Sequence, residues 1–114
     1  KRQMTIKIPI ETKQGVHTLP ASSVIAVEAQ GRKVVIHTTQ RDFESIRNMQ
    51  YWLELLPKNC FFQTHRSFII NFEHVTDFDR TLVHMADEQF HAYLTKRKYS
   101  AFKEAYLLYL DSTR

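Results

Sequence analysis

The chain has 114 residues, 16 Lys and Arg against 12 Asp and Glu for a net charge of +4, and one cysteine, two glycines and three prolines. A chain of this length buries roughly two-thirds of its unfolded surface on folding, enough for one domain with a real core and too little for a large catalytic fold. Cys60 has no second cysteine to bridge, which suits a reducing compartment, and with no signal-peptide pattern and no run near the roughly 18 apolar residues of a membrane span the expected location is the cytoplasm.

Met4 to Ile10 alternates Ile6, Ile8 and Ile10 with Thr5, Lys7 and Pro9, the period of a half-buried strand that Pro9 confines to an edge. Gln14-Gly15 turns the chain into a second short strand, Val16 to Leu19, and Pro20 to Ser23 reads as a loop. Val24 to Ala29 and Lys33 to Thr38 are β-branched runs separated by Gln30-Gly31-Arg32, a hairpin with a basic tip in which Gly31 is free to take positive φ. Asp42 to Ser45 supplies capping residues for a helix carrying Ile46, Met49, Leu53 and Leu56, stopped by Pro57; its Met49, Trp52 and Leu53 read as core packing. Phe61-Phe62 opens another apolar segment, and Ser67 to Asn71 is too short for periodicity to choose between helix and strand.

Val75 to Phe78, Leu82 to Met85 and Gln89 to Leu94 form a predicted three-strand meander broken at Asp79-Arg80-Thr81 and Ala86-Asp87-Glu88. Thr95 is the expected N-cap of a last helix from Lys96 to about Leu110, with Tyr99, Phe102, Tyr106, Leu107 and Leu110 on one face. Roughly eight strands and two or three helices make a strand-dominated single domain, 1–114, without repeats or linkers. The opening Lys1-Arg2-Gln3 lacks an initiator Met, so the chain is expected to be a piece of a longer polypeptide.

The chemistry-bearing residues exclude more than they offer. GxGxxG, GxxxxGK[ST], CxxC and HExxH are all absent, and no base, nucleophile and orienting group can be assembled, so no catalytic residue, enzymatic activity or cofactor is expected. The six histidines include no pair at helical i, i+4 spacing, and no metal site is expected. Cys60, beside Phe61 and Phe62, reads as a buried, inert thiol.

Two segments are more pointed. Phe61-Phe62-Gln63-Thr64-His65-Arg66-Ser67-Phe68-Ile69-Ile70-Asn71 sets polar groups among large apolar ones. His65 and Asn71 either tie down a turn by side-chain to backbone hydrogen bonds or face a ligand. Arg66 is a natural donor to phosphates or base edges. In Thr95-Lys96-Arg97-Lys98-Tyr99 three cations occupy the first turn of the predicted helix, against the macrodipole by some tenths of a kcal/mol each. A phosphate bound there would relieve the repulsion and collect free backbone N–H groups; the other reading is a solvated basic patch.

These two segments, in this order and separated by a three-strand meander, resemble the LytTR family of bacterial DNA-binding domains over about residues 4–110. Phe61 to Asn71 is similar to the family motif F-F-x-x-H-R-S-(aromatic)-(I/V)-(I/V)-N almost letter for letter, and Arg97-Lys98-Tyr99 with Phe102 corresponds to the later motif, with Lys96 where the family has a small residue. Val24-Ile25-Ala26-Val27-Glu28, an apolar strand ending in an acid, is also family-like. The resemblance implies an elongated stack of small antiparallel sheets with short helices. It also implies that loops, with no recognition helix, read direct-repeat promoter sites in successive major grooves, commonly downstream of a receiver domain in a two-component response regulator.

Carried over residue by residue, it implies base reading by Arg97, by Arg66 and by the Gln30 to Lys33 loop with Arg32, with His65, Lys33, Lys96 and Lys98 in the same DNA-binding surface. The isolated domain is expected to be largely monomeric, since no heptad run or spare apolar helix face is apparent. Two functional classes remain: a sequence-specific module for transcription regulation, and a protein-interaction module that takes an acidic partner through the same basic loops.

Overall fold

Strand β1 (Lys7–Thr12) turns at Lys13 and Gln14 into β2 (Gly15–Pro20) in the computed structural model, which describes residues 6–113. The pair forms a two-stranded antiparallel sheet in which Pro9 faces Thr18. Ile8 and Ile10 are buried and Ile6 is exposed, so the alternation holds from Lys7 onward. Met4 and Thr5, the predicted start of this strand, lie outside the described residues.

A five-stranded antiparallel sheet lies at the centre, in the order β5 (Asp42–Ser45), β4 (Lys33–Thr38), β3 (Val24–Gln30), β7 (Phe68–Asn71), β6 (Phe61–His65). Two of its inner strands, β3 and β7, are covered on both faces. Val24, Val27 and Ile69 join Ile8, Ile10, Ile36, Phe43 and Trp52 in one core. Ile25, Ala26, Phe68 and Ile70 join Val83, Met85, Ala92 and Phe102 in the other. A strand buried on both faces needs no polar alternation, and for that reason Phe68-Ile69-Ile70 carried no periodicity; the segment is a strand.

The predicted meander is a three-stranded sheet of β8 (Val75–Phe78), β9 (Leu82–Met85) and β10 (Phe90–Tyr93), in the order β10-β9-β8. Together the described residues make ten strands and two α-helices, a strand-dominated architecture of three small antiparallel sheets within 40 × 38 × 25 Å.

Both helices start later than the sequence suggested. Asp42 to Ser45 does not cap a helix but forms β5, because its real pattern is period two: Phe43 and Ser45 face inward while Asp42 and Glu44 face solvent. Helix α1 (Met49–Leu55) is capped by Asn48, whose side chain accepts the Tyr51 N–H at 3.0 Å, and Ile46 is exposed ahead of it. Trp52 is fully buried and donates Nε1–H to Ser45 Oγ at 3.0 Å, with Met49 and Leu53 packed at the core's margin.

Lys96–Lys98 form a 3-10 turn, and helix α2 (Tyr99–Ser112) begins only after it. The Thr95 side chain makes no capping bond. The buried face of α2 is Phe102 with Ala105, Tyr106 and Tyr109 at its margins; Leu107 and Leu110, expected inside, are exposed together with Leu108. Phe102 sits in an aromatic cage of Phe62, Phe72 and Phe78 at 4.9–5.7 Å between ring centroids. Full burial of that side chain contributes roughly 1.5–3 kcal/mol.

Candidate nucleic-acid interface

The five-stranded sheet brings two hairpin tips to one end. β3 and β4 are joined by Gly31-Arg32, with Gln30 paired to Lys33. Gly31 has φ 63, a conformation costly to a residue with a Cβ, so glycine permits this two-residue turn. β6 and β7 are joined by Arg66-Ser67. Because β3 pairs with β7 antiparallel, Glu28 lies opposite Phe68 and the Ala29 N–H donates to the Ser67 carbonyl at 2.9 Å, which holds the two tips side by side. Gln30, Arg32, Lys33 and Arg66 are all exposed there.

The third element arrives from the meander. After β10 the chain crosses the outer edge of β6, where the Thr95 N–H donates to the Thr64 carbonyl at 2.9 Å. Lys98 Nζ donates to the Gln63 carbonyl at 3.1 Å. The Lys96–Lys98 turn therefore packs beside the Arg66 tip, and Gln63, His65, Arg66, Thr95, Arg97 and Lys98 line one cleft of about 360 Å³. Three of the six are cations and none is acidic, so the cleft suits an anion. Burial, and then the neighbouring Arg97, lowers the Lys98 pKa below its ordinary value.

Of the residues singled out in the sequence, His65, Arg66, Arg97 and Lys98 share this cleft. Gln30, Arg32 and Lys33 stand on the adjacent tip, and Lys96 is exposed on the same turn as Arg97 without lining the cleft. His65 also fulfils the structural reading: its Nδ1 accepts the Ser67 N–H at 3.0 Å, which leaves Nε2 to carry the ring proton, and its ring lies 5.6 Å from that of Tyr93. Asn71 is wholly structural, donating to the Val24 carbonyl at 2.8 Å. The expectation of three cations in the first turn of an α-helix is corrected, since they precede α2, and Lys98 has an internal partner.

Sequence reasoning missed Gln63 and Thr95, which line the cleft, and Tyr93, 59% exposed beside His65. It missed Lys13 as well, which faces Arg32 across a second cleft that also holds Glu44. None of these is itself a cation in a basic run or a residue that the motif resemblance assigns to DNA, the two signals that marked the others.

The remaining histidines pack elsewhere. His37 is held between Glu28 Oε1 at 2.8 Å and Asp42 Oδ1 at 3.1 Å, and His84 and His91 meet across β9 and β10 with ring centroids 4.6 Å apart. Among the described residues no three His, Cys, Asp or Glu side chains are grouped to hold a metal ion, and no helix is long and apolar enough to cross a membrane.

Residues 14–107 match the LytTr DNA-binding domain family. A solved LytTr DNA-binding domain of a putative methyl-accepting/DNA response regulator from Bacillus cereus superposes with a TM-score of 0.73 at 26% identity, over 90% of this chain and 97% of that one. The sensory transduction protein LytR of Staphylococcus epidermidis is 29% identical over 75 residues, 66% of this chain and 30% of its own length. The transcriptional regulatory protein NatR of Bacillus subtilis is 29% identical over 105 residues, 88% of this chain and 45% of its own. The chain thus spans less than half the length of these curated relatives.

Proposed function

The chain belongs to the LytTr DNA-binding domain family, and from that premise we propose that it reads duplex DNA with one end of its central sheet, as the output domain of a two-component response regulator. The family is one of transcription regulators that act by binding, and no catalytic role is assigned to any residue. The observation that carries the reading is the convergence of His65, Arg66, Arg97 and Lys98 on one cleft without acids, beside the exposed Gln30-Gly31-Arg32-Lys33 tip.

Arg97 and Arg66 carry the fork geometry that pairs with guanine O6 and N7 in a major groove. Gln30 offers an amide to adenine, although its Nε2 is held by Glu28 Oε1 at 3.0 Å in the free protein. Arg32, Lys33 and Lys96 neutralise phosphates on either side, and His65 presents Nε2–H beside them. Two such domains occupy neighbouring direct repeats, and an upstream receiver domain in the full-length cytoplasmic regulator supplies their cooperativity. The isolated domain is monomeric in this reading, although α2 exposes Leu107, Leu108 and Leu110, an apolar surface that the sequence did not reveal.

Footprinting on the promoter regions upstream of its own gene, with excess random duplex as competitor, tests the reading. A protected pair of repeats that survives competitor, chelator and absence of nucleotide supports it. Equal binding to every duplex with a steep salt dependence, or no binding beside capture of an acidic protein, overturns it in favour of a merely basic interaction surface.

A further inference from the structure

Two consecutive carbonyls on β6 are taken by one short segment. In a regular strand successive carbonyls point to opposite sides, but the β6–β7 register shifts between Gln63 and His65. The oxygens of Gln63 and Thr64 both receive donors from the Thr95–Lys98 turn: Lys98 Nζ at 3.1 Å and the Thr95 N–H at 2.9 Å. The Lys98 N–H closes the turn on the Thr95 carbonyl at 2.8 Å. β6 is an edge strand of the central sheet, and this turn covers its open edge.

We infer that Lys98 is a positioning residue for sequence reading: its ammonium pins the turn carrying Arg97 to the Gln63 carbonyl of β6, three positions before Arg66, so that both guanidiniums face one cleft. The inference rests on the DNA-reading function proposed above and assigns within it a role different from phosphate neutralisation. Arg97 is exposed, whereas Lys98 is half-buried with its head group bonded to the backbone. A charge-assisted bond is roughly twice as strong as a neutral one, which suits a tie between two loops with few other contacts. Base reading tolerates only small displacements of a bidentate donor, while phosphate attraction tolerates large ones.

The test uses the full 114-residue chain, a duplex selected by it from a random pool, and a random duplex. Lys98→Met should lose about tenfold on the selected duplex, within the range of a lost bidentate contact. Binding to the random duplex should fall by a clearly smaller factor, the cost of one cleft charge, so that the ratio of selected to random affinity drops. In an Arg97→Ala background the Lys98→Met loss should disappear, and Lys98→Arg should restore most of the selected-site affinity. Without DNA, hydrogen exchange at the Thr95 and Lys98 amides should quicken in Lys98→Met while exchange at Ile70 stays slow, which separates local loosening from unfolding.

Equal weakening on both duplexes with a slope reduced by about one would make Lys98 a phosphate contact. Losses that add to those of Arg97→Ala, or unchanged exchange at Thr95 and Lys98, would also overturn the inference. If the wild-type chain selects no sequence at all, the DNA reading fails; the exchange measurement then still decides whether Lys98 pins the turn.

Discussion

Asn71 Nδ2 donates to the Val24 carbonyl at 2.8 Å, joining the end of β7 to the start of β3, 47 positions earlier in the chain. The same nitrogen reaches the Ala21 carbonyl at 3.3 Å, and Oδ1 accepts the Glu73 N–H at 2.9 Å. His74 adds a parallel tie through Nε2 to the Ser22 carbonyl at 2.7 Å. One buried side chain thus satisfies groups in the loop before β3 and in the turn after β7. The two strands it joins carry the paired tips, and the Arg66 tip lines one cleft with the Arg97 turn.

Asn71→Ala leaves those partners unpaired in a site that is 2% exposed. At about 1–3 kcal/mol for each buried group left without a partner, a loss of about 2–4 kcal/mol is expected. Asn71→Asp keeps the acceptor for Glu73 but turns a carboxylate toward two carbonyls, and should fare no better. Urea titrations of the two variants check this; a loss under about 1 kcal/mol would mean that water replaces the amide without penalty.

Thr64 is fully buried at the β6 bulge, and its Oγ1 finds no hydrogen-bond partner among the described residues. Its functional atom is the backbone oxygen that receives Thr95. Thr64→Val keeps the shape, removes the unmatched hydroxyl and leaves the backbone contact in place. Stability should stay the same or rise by up to about 1 kcal/mol, with DNA affinity unchanged. A clear drop in thermal midpoint would show that the hydroxyl has a partner after all.

How far the fold could be read in advance depended on what each segment packs against. The β3–β4 hairpin and the meander were readable because β-branched runs are cut by Gly31 or by polar breaks, a local signal. β5 was misread as a cap because Asp42 and Ser45 are good N-cap residues, and only the position of Phe43 between them marks a strand. The face assigned to α2 mixed two stripes: Phe102 and Tyr106 belong with Tyr109, and Leu107 and Leu110 lie a third of a turn away. In the site, Arg66 and Arg97 stood out through motif and charge. The bond from Lys98 to the Gln63 carbonyl did not, because a backbone acceptor on another strand leaves no trace in residue spacing.

Cys60 is half-buried rather than buried, and burial, followed by the Glu73 carboxylate, pushes its thiol pKa up. A raised acid pKa favours the protonated thiol in the fold, so this group's contribution to stability is lost as pH rises past the ordinary thiol value. Alkylation by iodoacetamide near neutral pH should therefore be slower than for a free thiol, and should reach the free-thiol rate in denaturant. Fast modification of the folded protein near pH 7 would contradict this.

Arg97 and Lys33 should separate reading from anchoring. Arg97 is exposed at the mouth of the shared cleft, and its two N–H edges match guanine O6 and N7, so Arg97→Ala should lose about 1–3 kcal/mol on a selected duplex. Its binding to random duplex should fall much less, because the phosphate attraction of the remaining cations survives. Lys33 is a point charge on the neighbouring tip. Lys33→Ala, and Lys96→Ala beside it, should weaken both duplexes by similar factors and lower the salt slope by about one. Arg66→Ala should follow Arg97 if its tip enters a groove and the lysines if it lies along the backbone. Salt-dependent binding curves on both duplexes, taken for each variant, distinguish the classes. An Arg97→Ala protein that weakened both duplexes equally, or bound the selected one as tightly as the parent, would remove Arg97 from base reading and leave the cleft a phosphate site.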